Sequence, residues 1–149
     1  MLTDYIKKEW IKLNVEAKNW EEAIEKSADE LQKDSIITPN YVEAMKKAVK
    51  DMGAYFVVTK NVALPHAKAE EGILKTGFGL VTLKNPVEFG NVDNDPVKYI
   101  FCLAIKNSNE HIEILKELSE LLEDKEFYRL LDSEKCGEKI YDYLKSKKI

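Results

Sequence analysis

The chain contains two histidines and two cysteines, and these are the side chains with the greatest capacity for nucleophilic or ligand chemistry near neutral pH. His66 stands in Asn61-Val62-Ala63-Leu64-Pro65-His66-Ala67-Lys68, directly after a short apolar run. Pro65 fixes its own φ and confines Leu64 to extended conformations, so a strand must stop there and release His66 at a defined angle. A side chain at such an elbow is held by the sheet yet open to solvent, which suits a reactive imidazole. The same context also suits a structural or loop histidine, and spacing alone leaves both readings open. His111 lies in Lys106-Asn107-Ser108-Asn109-Glu110-His111-Ile112, where helical apolar spacing begins. Free amides and the positive end of the dipole in a first helical turn favour anions such as a phosphoryl group, and they favour imidazole over imidazolium. A plain surface histidine is the alternative.

The cysteines carry less. Cys102 sits within the most apolar stretch of the chain and reads as a buried small hydrophobe, while Cys136 beside Gly137 is assigned no role. The two histidines are 45 positions apart among scattered carboxylates, which is no zinc-ligand spacing, so neither a metal nor a cofactor is expected.

Positioning these residues requires a sheet with helices around it. Asn19 with Glu22 three residues on has capping-box spacing and opens a helix predicted over about residues 20–33. Thr38-Pro39 opens a second helix carrying Tyr41, Val42, Met45, Ala48 and Val49, ended by Gly53. From Tyr55 to Leu83 the apolar residues turn β-branched or aromatic and cluster in short runs, the pattern of strands. Tyr99 to Ile105 is nearly uninterrupted apolar sequence and predicts a central strand covered on both faces. If that strand adjoins and parallels the one leading to Leu64, both histidines leave the sheet at the same end. Ser108 or Asn109 is expected to cap a long helix with Ile112, Leu115, Leu118, Leu121 and Leu122 on its apolar face. Ser133 is expected to cap a last helix with Ile140, Tyr143 and Leu144. The turn-rich segment from Lys84 to Lys98 is expected to loop out.

At 149 residues the chain suits one domain, and the predicted fold is a single three-layer α/β domain over residues 1–149, a mixed sheet of about five strands flanked by helices. The net charge of −4, from 23 basic and 27 acidic side chains interleaved along the chain, offers no basic stripe for nucleic acid. No apolar run reaches the roughly 18 residues of a membrane span, so direct membrane insertion is not expected. The N-terminus lacks a secretory pattern and the cysteines form no CxxC pair, so a cytoplasmic location is expected.

The segment Asn61 to Lys68 resembles the phosphorylation-site motif of the mannitol/fructose-type enzyme IIA domains of the bacterial phosphoenolpyruvate-dependent sugar phosphotransferase system. That motif is a hydrophobic tripeptide followed by Pro-His and a small residue. Pro86-Val87-Glu88-Phe89-Gly90, Asn94-Asp95-Pro96-Val97, Leu103-Ala104 and His111 leading into Leu115, Leu118 and Leu122 agree with the family as well. The resemblance extends from about Asn19 to Leu131. Asn19 to Ile24, Ala63 to Ala67, Phe89-Gly90 and Asn94 to Val97 are most similar to the ascorbate, pentitol and galactitol branch.

The resemblance implies a phosphoryl relay. Phospho-HPr gives its phosphoryl group to His66, His66 passes it to a cysteine of the cognate enzyme IIB, and a membrane IIC component carries the sugar, with L-ascorbate a candidate. It implies Nε2 of His66 as the phosphorylated atom and His111 as a residue steadying the phosphoryl oxygens. Lys68 and the amides after Ser108 are candidate phosphate contacts. Two departures qualify this. Many relatives carry arginine where Lys68 stands, and lysine lacks the planar bidentate fork. Mannitol-type members also carry an arginine on the helix before the active strand, where this chain reads Lys46-Lys47-Ala48-Val49-Lys50. Two alternatives stay open: a regulatory phosphoacceptor of the same fold, acting on a transcription factor or channel, and a non-catalytic interaction module. A shallow apolar docking rim around His66 is expected from Val62, Leu64, Ala67 and Ile73.

Overall fold

Short polar side chains start the first two helices where the spacing places them. In the computed structural model, which describes residues 1–147, Asn19 Oδ1 accepts the Glu22 N–H at 2.9 Å, and helix α1 spans Trp20–Lys33. Thr38 caps helix α2, Pro39–Met52, with Pro39 in its first turn and Gly53 at its end.

Strands β1 (Ile11–Val15), β2 (Val57–Thr59), β3 (Val62–Ala63), β4 (Gly77–Val87) and β5 (Val97–Ala104) form an open sheet. Among the described residues its order is β1-β4-β5-β3-β2. β4 runs antiparallel to β5, β5 runs parallel to β3, β1 runs parallel to β4 and β2 runs antiparallel to β3, so the sheet is mixed. The apolar run predicted as the central strand is β5, buried at every position except the half-buried Lys98.

Helices α3 (Ser108–Leu121), α4 (Lys125–Ser133) and α5 (Gly137–Ser146) follow the last strand. Successive side chains of β5 point to opposite faces. Phe101 packs its ring 6.2 Å from Phe127 of α4, whereas its neighbour Cys102 meets the Met45 sulfur of α2 at 4.0 Å. α2 with α1 therefore covers one face of the sheet and α4 with α5 the other, which gives the three layers of an α/β fold. The core is correspondingly aromatic: Tyr41, Phe56, Phe78, Phe101 and Phe127 are all essentially inaccessible. Truncating such a phenylalanine to alanine costs about 3–5 kcal/mol.

Four local expectations are corrected. Strands are not confined to the runs after Tyr55: Ile11-Lys12-Leu13-Asn14-Val15 alternates apolar and polar residues, the period of a half-buried strand, and forms the edge strand β1 with Lys12 and Asn14 exposed. β4 continues to Val87, which pairs with Val97, so the loop between β4 and β5 is confined to residues 88–96. Asn107, not Ser108 or Asn109, caps α3, and its buried face is Ile114, Leu118 and Leu121 while Ile112 is 68% exposed. Ser133 ends α4 rather than opening the last helix. Asp124 starts α4 by accepting the Glu126 and Phe127 N–H groups, and Cys136 occupies the cap position of α5. No helix among the described residues is long and apolar enough to cross a membrane.

Candidate functional site

The two-residue strand β3 is fastened on both sides as it approaches His66. Val62 and Ala63 are in register with Tyr99 and Ile100 of β5. Beyond them the Leu64 N–H donates to the Phe56 carbonyl at 2.8 Å, and the Leu103 N–H donates to the Pro65 carbonyl at 3.0 Å. Pro65 has no N–H to leave unpaired, so the strand ends there at no hydrogen-bonding cost. The β3 and β5 strands are neighbours and parallel, so His66 and the segment leading to His111 emerge at the same end of the sheet, as the sequence condition required.

The loop before β5 braces the hairpin that carries His66 along its length. The Asn61 N–H donates to the Asn94 carbonyl at 2.9 Å, and the Asn61 amide donates to the Pro96 carbonyl at 2.7 Å. The Val57 carbonyl accepts from the side-chain amides of Asn91 at 3.2 Å and Asn94 at 3.1 Å. Asp95 closes the loop on itself by accepting the Phe89 and Gly90 N–H groups. Asn94, Asp95 and Pro96 are thus a structural turn, and none of them lines either cavity beside His66.

His66 is half-buried, with Nδ1 2.7 Å from the Leu64 carbonyl oxygen. A carbonyl can only accept, so Nδ1 carries the hydrogen and the lone pair resides on Nε2. The Tyr55 ring meets the imidazole edge-on at 5.7 Å, and Phe56 lies 6.2 Å away, which limits rotation of the ring. The acceptor for Nδ1 was not legible in the sequence, since a hydrogen bond to a carbonyl two residues back depends on backbone direction and not on residue type.

His111 occupies the first turn of α3 and is exposed. That turn is anchored. Asn107 Oδ1 accepts the Glu110 N–H at 2.9 Å, and the Glu110 carboxylate accepts from the Asn107 amide at 2.7 Å and from the Thr76 hydroxyl at 2.5 Å. His66 and His111 line one cavity of about 310 Å³ whose walls include Leu64, Ala67, Leu103 and Ile105. An apolar wall beside a free imidazole lone pair limits competition from water and strengthens any charge contact made inside.

His66 also borders a second hollow, about 570 Å³, on its α2 side, and Lys68 lines this one with Lys47 and Asp51. The candidate residues therefore divide: His66 and His111 come together, Lys68 lies across the imidazole from His111, and Ser108 lines neither cavity. The lysines that stand in the stretch where relatives carry an arginine are each paired with carboxylates. Lys46 bonds Glu25 and Glu43, Lys47 bonds Asp51 at 2.5 Å, and Lys50 pairs with Glu21 at 3.4 Å. The expected docking rim is corrected too, because Val62, Leu64 and Ile73 are interior. The exposed apolar side chains bordering the histidines are Met52, Tyr55 and Val58, with Ile112 next to His111. Among the described residues no three His, Cys, Asp or Glu side chains converge as a metal site.

Comparison with known proteins bears on the family and the fold. Residues 4–147 match the family described as "Phosphoenolpyruvate-dependent sugar phosphotransferase system, EIIA 2". The chain is 37% identical over 135 residues to the ascorbate-specific PTS system EIIA component of Escherichia coli K12, covering 90% of this chain and 88% of that protein. Its fold is similar to the solution structure of the mannitol-specific cryptic phosphotransferase enzyme IIA of Escherichia coli, with a TM-score of 0.83, 34% identity and 95% of each chain covered. It is also similar to a chain in the complex of enzyme IIAMtl with phosphorylated enzyme IIBMtl from Escherichia coli, with a TM-score of 0.80, 27% identity, and 95% and 99% of the two chains covered. Since the family match runs nearly end to end and the curated relatives pass 30% identity over most of their length, this chain belongs to the EIIA 2 family of the phosphoenolpyruvate-dependent sugar phosphotransferase system.

Proposed function

We propose that the protein accepts a phosphoryl group from phospho-HPr on Nε2 of His66 and passes it to a cysteine of a cognate enzyme IIB, for uptake of a sugar through a membrane IIC component. The observation that carries this reading is the Nδ1 contact to the Leu64 carbonyl, which leaves the Nε2 lone pair free beside a cavity shared with His111. In the first step the Nε2 lone pair forms the bond to phosphorus as the bond to the donor breaks, and the electron pair of that bond stays on the donor. The second step repeats the exchange with a thiolate as nucleophile.

Such transfer spreads charge over three equatorial oxygens, so orientation and donors matter more than proton movement. His111, across the cavity, would donate to one of those oxygens. Lys68 would add positive charge from the other side of the imidazole, as a point charge and not a fork. The complex of enzyme IIAMtl with phosphorylated enzyme IIBMtl, one chain of which this fold resembles, supports a IIB partner, and the ascorbate-specific relatives support L-ascorbate as the transported sugar.

Incubation with phosphoenolpyruvate, enzyme I and HPr tests the first step. The native chain is expected to take up one acid-labile phosphate and His66→Gln none; stoichiometric labelling of His66→Gln would overturn the assignment. Discharge by ascorbate-type but not mannitol-type IIB tests the second step. A chain that is labelled on His66 but discharged by neither would favour the regulatory phosphoacceptor.

A further inference from the structure

In a parallel pair, alternate residues of one strand bond two residues of the neighbour that stand two apart, one through the N–H and one through the carbonyl. Beyond the end of β3, Leu103 begins such an exchange by donating its N–H to the Pro65 carbonyl at 3.0 Å. The other half would run from the Ala67 N–H to the Leu103 carbonyl. A hydroxyl stands in its place: Tyr41, reaching in from α2, accepts the Ala67 N–H at 3.0 Å and donates to the Leu103 carbonyl at 2.7 Å. A phenol has one proton, and the short contact to Leu103 uses it; the Ala67 carbonyl lies at 3.3 Å. Burial pushes the Tyr41 phenol far above its ordinary range, so the donor persists at every physiological pH.

This hydroxyl parts the two strand ends at the residue that follows His66. Tyr41, Ala67 and Leu103 all line the cavity in which the two histidines meet. The rest of the His66 loop is laced to the same turn of α2. The Thr38 N–H donates to the Gly72 carbonyl at 3.0 Å, and the Asn40 amide donates to the Glu71 carbonyl at 2.8 Å. Gly72 permits that approach, since its φ is 136° and a Cβ there would come within 2.0 Å of the Thr38 hydroxyl.

We propose that Tyr41 is a positioning residue for phosphoryl transfer: its hydroxyl, wedged between Ala67 and Leu103, keeps the strand ends apart and so holds Nδ1 of His66 on the Leu64 carbonyl with Nε2 turned to the cavity. The inference rests on His66 being the phosphoryl acceptor. It concerns the hydroxyl only, because a fully buried ring at this place would fill the core equally well as phenylalanine. Without the hydroxyl, Ala67 and Leu103 are free to close to a direct bond of about 2.9 Å, which drags the His66 backbone with them.

Tyr41→Phe separates the two roles. In the variant, kcat for transfer from phospho-HPr is expected to fall roughly tenfold, since small displacements of reacting groups cost rate steeply, while KM for phospho-HPr stays constant. The ¹⁵N spectrum of His66 is expected to shift from a single Nδ1–H form towards a mixture. Unchanged kcat and an unchanged ¹⁵N spectrum would overturn the proposal. Should Tyr41→Phe fail to fold, the native protein decides: a slowly exchanging Tyr41 hydroxyl proton with a nuclear Overhauser contact to the Ala67 amide is expected, and its absence overturns the wedge. If the native chain takes no phosphate, the relay reading fails on its own, and the ¹⁵N comparison still tests whether the hydroxyl orients the ring.

Discussion

His66 Nδ1 donates to the carbonyl of Leu64, two residues earlier in the chain, at 2.7 Å. The bond stays within one short strand end that is itself hydrogen-bonded to Phe56 and to β5, so backbone and ring are fixed together. In the free protein at pH 8, long-range ¹⁵N–¹H spectra are expected to show His66 as the Nδ1–H tautomer, and phosphorylation is expected to move the Nε2 resonance. A protonated Nε2 in the unphosphorylated protein would contradict the geometry.

His111 is exposed, and the turn that bears it is held by Asn107, Glu110 and Thr76 without its help. His111→Ala is therefore expected to melt within about 2 °C of the native protein, as surface substitutions do. Transfer from phospho-HPr is expected to slow by roughly tenfold or more, the loss that follows removal of one oxyanion donor. Circular dichroism beside a quenched-flow transfer assay reads both, and a variant that unfolds would make His111 a structural residue.

Met52 is 64% exposed and Val58 48% exposed, and they border the two hollows on either side of His66. Relay partners meet through small transient interfaces, in which an apolar centre supplies much of the contact. Met52→Asp and Val58→Asp are expected to raise KM for both phospho-HPr and IIB several-fold with the melting temperature unchanged. Steady-state transfer with each partner checks this; equal KM values in the variants would place docking elsewhere.

Asp124 joins α4 to the end of α5. Burial alone would raise its pKa, but hydrogen bonds from Lys147 at 2.6 Å, from the Tyr143 hydroxyl at 2.6 Å and from the Phe127 N–H outweigh it and lower the carboxyl to about 2. A carboxylate depressed in the folded state stabilises it above the unfolded value near 4 and loses that contribution as pH falls towards 2. Asp124→Ala also removes the α4 cap, a loss of about 1 kcal/mol at neutral pH. Thermal melts of the two proteins are expected to differ at pH 7 and to converge between about pH 4 and pH 2. A difference that is constant across that range would show that the carboxylate's charge contributes nothing.

The sequence revealed what depends on neighbours along the chain. The caps at Asn19 and Thr38 were legible because capping is a contact over three residues, and β5 was legible because a short apolar run without alternation, rich in aromatic and β-branched residues, suits a strand covered on both faces. The same local logic, applied to Asp124, Phe127 and Leu131, would have found α4. β1 was legible on the same terms, since Ile11, Leu13 and Val15 alternate with Lys12 and Asn14, but the signal lasts only five residues. Proximity in sequence misplaced the docking rim: Val62 and Leu64 are next to His66 in the chain but turn into the core, whereas Met52 arrives from another element. Tyr41 lies 26 residues from Ala67, and nothing local marks a helix tyrosine as the partner of a strand end.

The two asparagine amides on the Val57 carbonyl have one more effect. β2 is the outermost strand of its side of the sheet, and such a strand can recruit a stray chain through its unpaired backbone groups. Asn91 and Asn94 already occupy the acceptor at its start, and the strand is only three residues long. An incoming segment would find too little backbone to grip, so the apolar patch around His66 can stay open to transient partners without the adjacent sheet margin seeding self-association.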